Sequence, residues 1–195
     1  MQPNYVNSFP YHIHPHPRAA QIEALKGFGH AGEVQVLEAD TGVGKSDIAY
    51  AYLMAHLKTG KKQGMLVAPT KASVEQYQKM FPDVMVAYGR NEHPCLYPAY
   101  EGQNLKADEI PCLMLRDCPH RVDQETGATH TPGATPCPYY QQKFEAKQSD
   151  GIVACTFAFF FFTVLFTEEF DPGAVVIDEA HRFAQSIRNV LEMSL

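Results

Sequence analysis

The sequence has no apolar run long enough to span a bilayer and no signal for secretion. Its most apolar stretch, FAFFFFTVLF at 157–166, has ten residues, whereas a membrane-spanning helix needs about 20. The opening residues, MQPNYVNSFPYHIHPHPR, contain no basic segment followed by an apolar one, which a signal peptide requires. We therefore expect an intracellular protein with no membrane partner, and we expect the run at 157–166 to be buried in the core.

The sequence also lacks an excess of basic charge. Its 16 lysines and arginines are outnumbered by 22 aspartates and glutamates, and the formal net charge is −6. Such a chain is not a general polycation, so any contacts with nucleic acid must be local. Hydrophobic residues make up 45% and charged residues 19%, a composition typical of a globular protein. The 195 residues suffice for one domain with a hydrophobic core.

Strand-like and helix-like stretches alternate along most of the chain. Strands are predicted at 33–39, 64–69, 84–88, 151–157 and 174–180. Helices are predicted at 18–28, 45–58, 71–81, 139–148 and from about 181. Such alternation indicates an α/β fold with a parallel sheet whose two faces are both covered. Residues 1–17, which are rich in proline, histidine and aromatic residues, are predicted to be extended.

The segment EADTGVGKS at 38–46 has the pattern of a phosphate-binding loop. From Ala39 it reads A-x-x-x-x-G-K-S, a P-loop with alanine in place of the usual first glycine. In such a loop Lys45 pairs with the β- and γ-phosphates, Ser46 holds Mg²⁺, and backbone N–H groups at a helix N-terminus point at the β-phosphate. The residues predicted to bind the nucleotide here are Thr41, Gly42, Val43, Gly44, Lys45 and Ser46.

The segment VVIDEAH at 175–181 has the pattern of a second Mg²⁺ site. Four apolar residues predict a buried strand, and two acids follow at its carboxyl end. Asp178 is expected to hold Mg²⁺, partly through water, and Glu179 to polarise the attacking water. Ligands of such sheets gather at the carboxyl ends of the strands. The two segments together therefore predict an ATP-hydrolysing site at that edge of the sheet.

The amino-acid sequences of these two segments resemble the motifs of superfamily 2 helicases. ADTGVGKS and the D-E-A-H box correspond to motifs I and II, which implies a RecA-like P-loop domain. RAAQ resembles the R-x-x-Q motif that reads adenine, which implies nucleotide contacts for Arg18 and Gln21. APTKASVEQ at 68–76 resembles motif Ia, whose loop touches the nucleic-acid backbone. This implies that Thr70 and Lys71 contact DNA.

A cysteine-rich stretch of about 50 residues, 89–138, has no sustained period, and a stretch of that length inside an α/β sheet predicts a functional insertion. Its position between motifs Ia and II makes residues 9 to 195 similar to the XPD/DinG family of iron–sulfur DNA helicases. That resemblance implies a 4Fe–4S cluster held by Cys95, Cys112, Cys118 and Cys137. From the residues alone, four thiolates suffice for such a cluster, while zinc and unligated thiols remain open. Zinc sites favour C-x₂₋₄-C pairs, which the insertion lacks. Cys155 is expected to be a small buried side chain.

The resemblance also implies a division of the chain. Residues 1–88 are expected to form the first part of RecA-like helicase domain 1, residues 89–138 the iron–sulfur insertion, and residues 139–195 the remainder of that domain. ATP lies between two such lobes in these helicases, and the second lobe supplies arginine fingers. No motif III, V or VI follows the D-E-A-H box. A second lobe is therefore expected from a longer parent chain or from a separate polypeptide.

The leading hypothesis is the ATP-binding and iron–sulfur part of an ATP-dependent DNA helicase with 5′→3′ polarity. Its expected cofactors are ATP, Mg²⁺ and a 4Fe–4S cluster, and its expected partners are single-stranded DNA and single/double-strand junctions. Two alternatives are a non-catalytic nucleic-acid-binding module and a P-loop ATPase with a zinc insert. ATP turnover that depends on a DNA strand would distinguish the leading hypothesis from the non-catalytic module. Metal analysis and a DNA-binding assay would distinguish it from the zinc-containing ATPase. The expected location is cytoplasmic beside the nucleoid, or nuclear.

Overall fold

The computed structural model describes residues 3–28, 34–97, 102–110, 112, 115 and 117–192. It is an α/β fold built on a four-stranded parallel sheet. The strands are β1 (Gly64–Ala68), β2 (Met85–Ala87), β3 (Ile152–Thr156) and β4 (Ala174–Ile177). Their order in the sheet is β2–β3–β1–β4. Val67 of β1 is in register with Cys155 of β3 and Ile177 of β4, so the carboxyl ends of these three strands meet at one edge.

Six α-helices accompany the sheet in the described residues, and all except α5 agree closely with predicted helices. They are α1 (Ala19–Gly27), α2 (Lys45–Leu57), α3 (Lys71–Met80), α4 (Pro138–Gln148), α5 (Phe157–Phe160) and α6 (Ala180–Glu192). Local signals set their beginnings: the Thr70 side chain accepts a hydrogen bond from the Ser73 N–H at the start of α3, and Pro138 occupies the first turn of α4. Within the described ranges, no helix is both long and apolar enough to cross a membrane.

The sheet separates two apolar layers, as the alternation of β1 requires. Met65 and Val67 pack in the layer that contains α4, α5 and Phe183 of α6. Leu66 and Ala68 pack in the layer that contains α2 and α3. Every residue of β1 is buried, which is typical of a parallel strand covered on both faces. The predicted α/β class with a covered parallel sheet is confirmed.

The N-terminal residues are not extended throughout, and that prediction is wrong for Val6–Ser8 and for the turn at 11–13. Residues Val6–Ser8 form a 3₁₀ helix, and the neighbouring aromatic side chains Tyr5 and Phe9 are buried against α1 and α2. The Tyr5 ring stacks on Tyr52, with 5.3 Å between ring centroids. Burying two large aromatic side chains stabilises the folded arm, and this overrides the local preference for an extended chain.

The predicted strand at 33–39 is also wrong for its described part, residues 34–39. These residues have no regular secondary structure, and the side chains of Val34 and Val36 are 85% and 90% exposed. A strand is stabilised by hydrogen bonds to a neighbouring strand, and in the described sheet β4 is an edge strand that pairs only with β1. The P-loop therefore follows an irregular segment rather than a sheet strand.

The run at 157–166 is only partly buried, so the prediction that all of it lies in the core is wrong. It forms α5 and a π-helical turn, Phe161–Leu165. The buried residues are Phe157, Phe159, Phe160, Phe161 and Thr163, and the large apolar residues left about half exposed are Phe162, Leu165 and Phe166. A helix presents only one face to the sheet, and a continuous apolar run therefore leaves the opposite side chains in solvent.

The insertion between β2 and α4 has little regular structure, as predicted. Its described residues contain a 3₁₀ helix, Arg90–Glu92, and two isolated antiparallel bridges. Buried Ala107 and Val122 nevertheless join the apolar layer of α4. At the base of the insertion, the Gln142 side chain of α4 accepts a hydrogen bond from the Tyr88 N–H at 3.1 Å and donates one to the Tyr88 carbonyl at 3.0 Å. These two hydrogen bonds hold the residue just before the insertion next to the helix that follows it.

Candidate nucleotide site and cysteine pocket

The P-loop makes a tight turn into α2. Gly42 and Gly44 have φ values of 86° and 90°, a conformation that glycine adopts without steric cost. Gly44 is the N-cap residue, and α2 begins at Lys45, so the loop leads into a helix N-terminus of the kind that binds phosphate. The Lys45 ammonium donates a hydrogen bond to the Ala39 carbonyl at 3.0 Å. Binding of a phosphate by this lysine requires exchange of that carbonyl for phosphate oxygens.

The side chain of Gln21 holds the P-loop through hydrogen bonds. Its side chain is buried and accepts a hydrogen bond from the Arg18 N–H at 2.8 Å. Its amide donates to the Gly44 carbonyl at 3.2 Å and to Asp47 Oδ2 at 3.0 Å. Asp47 Oδ1 also lies 2.7 Å from His14 Nδ1. The predicted adenine contacts of Gln21 and Arg18 remain predictions, and the geometry gives Gln21 a role in holding the loop.

Asp178 lies at the carboxyl end of β4, as predicted. Its N–H donates to the Val67 carbonyl at 2.8 Å, which fixes it beside the end of β1. The Tyr77 hydroxyl of α3 donates to Asp178 Oδ2 at 3.0 Å. Burial raises the pKa of Tyr77, and the nearby Ser46 side chain opposes that rise. The two predicted Mg²⁺ ligands therefore both lie close to one tyrosine, which the sequence motifs did not single out.

Glu179 is exposed beside Asp178. Its backbone has a φ of 51°, a left-handed conformation that is uncommon outside glycine and that occurs at functional sites. Its N–H donates to Asp178 Oδ1 at 3.0 Å, and its carboxylate lies 3.5 Å from His181 Nε2. A carboxylate in this position can accept a hydrogen bond from a water molecule next to the Asp178 site.

The two residues predicted to contact DNA lie at the N-terminus of α3. Both are exposed, at the same edge of the sheet as Asp178. The Lys71 ammonium donates to Glu92 Oε2 at 2.9 Å and lies 5.4 Å from the centroid of the Tyr88 ring. The hydrogen bond from Lys71 lowers the pKa of Glu92. A DNA phosphate at Lys71 would therefore compete with a carboxylate of the protein, while Thr70 remains occupied in capping the helix.

The four cysteines of the insertion line one pocket, together with His120, Tyr140 and other residues. They are Cys95, Cys112, Cys118 and Cys137, and all are free thiols. Burial raises the pKa values of Cys112 and Cys137, and nearby thiols raise them further. In the part of the chain that the structure describes, no three His, Cys, Asp or Glu side chains are arranged to hold a metal ion. Cys155 is fully buried in β3, as predicted.

Arg90 anchors the pocket, and no spacing in the sequence identified it. Its guanidinium donates to the backbone carbonyls of Ala107 and Ile110, the second at 2.6 Å. It also lies beside Cys112, where burial raises the thiol pKa and the positive charge of Arg90 partly opposes that rise. One side chain thus ties the start of the insertion to its middle and contacts the pocket.

Comparison with known families identifies the chain. A family model described as "Type III restriction enzyme, res subunit" matches residues 14–194. The chain belongs to this family. The match confirms the superfamily 2 helicase fold expected from the motifs, and indicates a helicase-like domain of an ATP-dependent enzyme acting on nucleic acids. No curated protein and no solved structure matches the chain.

For a res-subunit domain, the geometry is consistent with ATP and Mg²⁺ as cofactors. The matched residues include the P-loop, the D-E-A-H box and the whole cysteine insertion. The P-loop turn and the Asp178 carboxylate lie at one edge of the sheet, where ligands of such folds bind. The nucleotide contacts of the individual motif residues remain predictions.

Proposed function

We propose that this chain is the ATP-binding and iron–sulfur part of an ATP-dependent DNA helicase similar to the XPD/DinG family, with 5′→3′ polarity. The observation that carries the proposal is the hydrogen bond from the Tyr77 hydroxyl to Asp178 Oδ2, which holds this carboxylate near Ser46 of the P-loop. A hydroxyl and a carboxylate held together are the oxygen ligands that Mg²⁺ takes beside nucleotide phosphates. Their convergence from two distant motifs supports a metal–nucleotide site rather than an ordinary strand–helix turn.

The chain's residues take distinct parts in this chemistry, in which ATP supplies the phosphoanhydride bond that is cleaved. Lys45 and the backbone N–H groups at the start of α2 bind the phosphates. Ser46 and Asp178 would hold Mg²⁺. Glu179, which is exposed next to Asp178, orients the attacking water and accepts its proton. A second RecA-like lobe, in a longer parent chain or a separate polypeptide, supplies the arginine that completes the site.

Cys95, Cys112, Cys118 and Cys137 would hold a 4Fe–4S cluster, which supplies a rigid link across the insertion. The donor set fits, because four free thiols line the same pocket and Cys ligation is what such clusters require. A cluster binds each thiolate to a different iron and spreads them around a cavity, whereas zinc draws four ligands to within about 2.3 Å of one ion. Four thiols that line one pocket support a metal centre in the insertion, and the choice of a cluster over zinc rests on the resemblance to the XPD/DinG family.

The nucleotide site and the cluster belong to different parts of the chain. Residues 1–88 and 139–195 form the RecA-like domain, and residues 89–138 form the cluster insertion. Single-stranded DNA, up to its junction with duplex, contacts Thr70 and Lys71 at the start of α3. We propose an intracellular location, beside the nucleoid or in the nucleus, where the DNA is found and thiols stay reduced.

Calorimetric titration with ATP and Mg²⁺ tests the nucleotide site. Lys45→Ala is expected to abolish binding, because the lysine supplies the positive charge at the β- and γ-phosphates. Lys62→Ala is the matched control, since Lys62 is exposed just before the amino end of β1, at the opposite edge of the sheet. Equal ATP affinity in Lys45→Ala and in the wild type would contradict the assignment.

A further inference from the structure

Tyr77 occupies a position that the P-loop and the D-E-A-H box do not explain. Its ring is buried in the apolar layer of α2 and α3, and the side chain is 5% exposed. Its hydroxyl reaches out of that layer toward two residues that are far apart in sequence, Ser46 and Asp178. A phenylalanine would fill the same apolar space, so packing alone does not account for the hydroxyl.

The direction of this hydrogen bond follows from the chemistry of the two groups. An ionised carboxylate only accepts hydrogen bonds, so the Tyr77 hydroxyl donates to Asp178 Oδ2. The Ser46 side chain lies near the same hydroxyl.

The hydrogen bonds to Asp178 orient its carboxylate. Asp178 Oδ2 is held by Tyr77 and Asp178 Oδ1 by the Glu179 N–H, so the carboxylate cannot rotate freely. Groups that hold metal ligands in this way fix the direction of the ligand lone pairs, and their removal commonly lowers metal affinity by about 10–100-fold.

We propose that Tyr77 is a positioning residue for Mg²⁺, which orients the Asp178 carboxylate so that its free lone pairs face a metal position beside Ser46. The inference rests on the proposed nucleotide-binding function and extends it to a residue outside the two motifs. It assigns to α3 a direct part in the metal site, in addition to carrying Thr70 and Lys71 at its other end.

Tyr77→Phe is the decisive variant, because it removes the hydroxyl and keeps the ring. ATP binding is measured by calorimetry at a series of Mg²⁺ concentrations and again in EDTA. We expect the Mg²⁺ concentration for half-maximal ATP binding to rise by about 10-fold or more, with ATP affinity in EDTA unchanged. Circular dichroism and the Tm verify that the fold is kept.

Tyr50→Phe is the matched control. Tyr50 is also buried, and its hydroxyl also donates to a carboxylate, Asp83 Oδ2, at 2.7 Å. This variant loses the same kind of hydrogen bond away from the metal ligands, so its Mg²⁺ requirement should equal that of the wild type.

Three results would overturn the inference. The first is an identical Mg²⁺ requirement in Tyr77→Phe and the wild type. The second is an equal loss of ATP affinity with and without Mg²⁺, which would show that Tyr77 supports the P-loop in general. The third is a wild type that binds no ATP at any Mg²⁺ concentration, which would remove the proposed function as well. In the first two results wild-type binding is normal, so they refute the role of Tyr77 alone.

Discussion

The ammonium of Lys71 is bound to the carboxylate of Glu92, 2.9 Å away, at the start of α3. This ion pair joins the first turn of the helix to the beginning of the cysteine insertion. It also means that the lysine expected to bind DNA is already partnered. The strength of DNA binding should therefore depend on both members of the pair.

Lys71→Ala should weaken binding of single-stranded DNA and reduce the slope of log affinity against log salt concentration by about 0.7, the value for one lost phosphate contact on a single strand. Glu92→Gln should do the reverse and raise affinity, because it frees the lysine. Fluorescence anisotropy with a labelled oligonucleotide at several salt concentrations measures both effects. Lys79→Ala, in the last turn of α3, is the control. DNA affinity that is unaltered in both Lys71→Ala and Glu92→Gln would count against the contact.

Glu179→Gln should retain ATP binding and lose hydrolysis in an enzyme that has its second lobe. The amide cannot accept the proton of the attacking water, and loss of a general base lowers kcat by about 10²–10⁴-fold. Glu168→Gln is a close control, because Glu168 is exposed and its backbone has the same φ of 51°. Phosphate release assays compare the two variants. Normal turnover by Glu179→Gln would exclude Glu179 as the base.

Cys118→Ser should remove the iron and leave the insertion sensitive to protease. The protein purified without oxygen should be brown and carry about four irons and four acid-labile sulfides per chain, the content of a four-cysteine cluster of this type. Cys155→Ser should keep its iron, since Cys155 is buried in β3. Metal and sulfide analysis of the two variants decides the matter. A colourless protein with one zinc would refute the cluster and leave the ATP site intact.

Gln21→Ala should destabilise the fold. The substitution removes the donor to Asp47 and Gly44 and leaves a buried carboxylate with fewer partners, a loss that costs about 1–3 kcal/mol. Gln78→Ala, on the exposed side of α3, should change the free energy of unfolding little. Urea denaturation of the two variants gives the comparison. A Gln21→Ala protein of normal stability with weakened adenine binding would favour the nucleotide role over the supporting one.

Local patterns predicted most of the fold. The glycines before Lys45 specify a turn and a helix start within a few residues, and the acids after β4 follow a buried strand, so neither needs distant information. Tyr77 and Asp178 are 101 positions apart, and only the folded sheet brings them together. The contact of Arg90 with carbonyls of the insertion is likewise invisible in a one-dimensional pattern.

The departures from prediction have a common physical origin. The segment at 34–39 has the alternation of a strand, but a strand needs a partner, and pairing is a property of the whole sheet. Phe162 and Phe166 are as apolar as their buried neighbours, yet the helix turns them outward. Hydrophobicity gives the tendency to be buried, and the geometry of the neighbouring elements decides which residues are.

The side-chain clasp between Gln142 and Tyr88 has a mechanical consequence. The two hydrogen bonds close the insertion into a loop whose ends lie at one point. That point follows β2, one of the two edge strands of the described sheet, whereas Asp178 follows β4 at the other edge. A displacement of the insertion at Tyr88 and Gln142 therefore acts on the strand that β3 and β1 separate from β4.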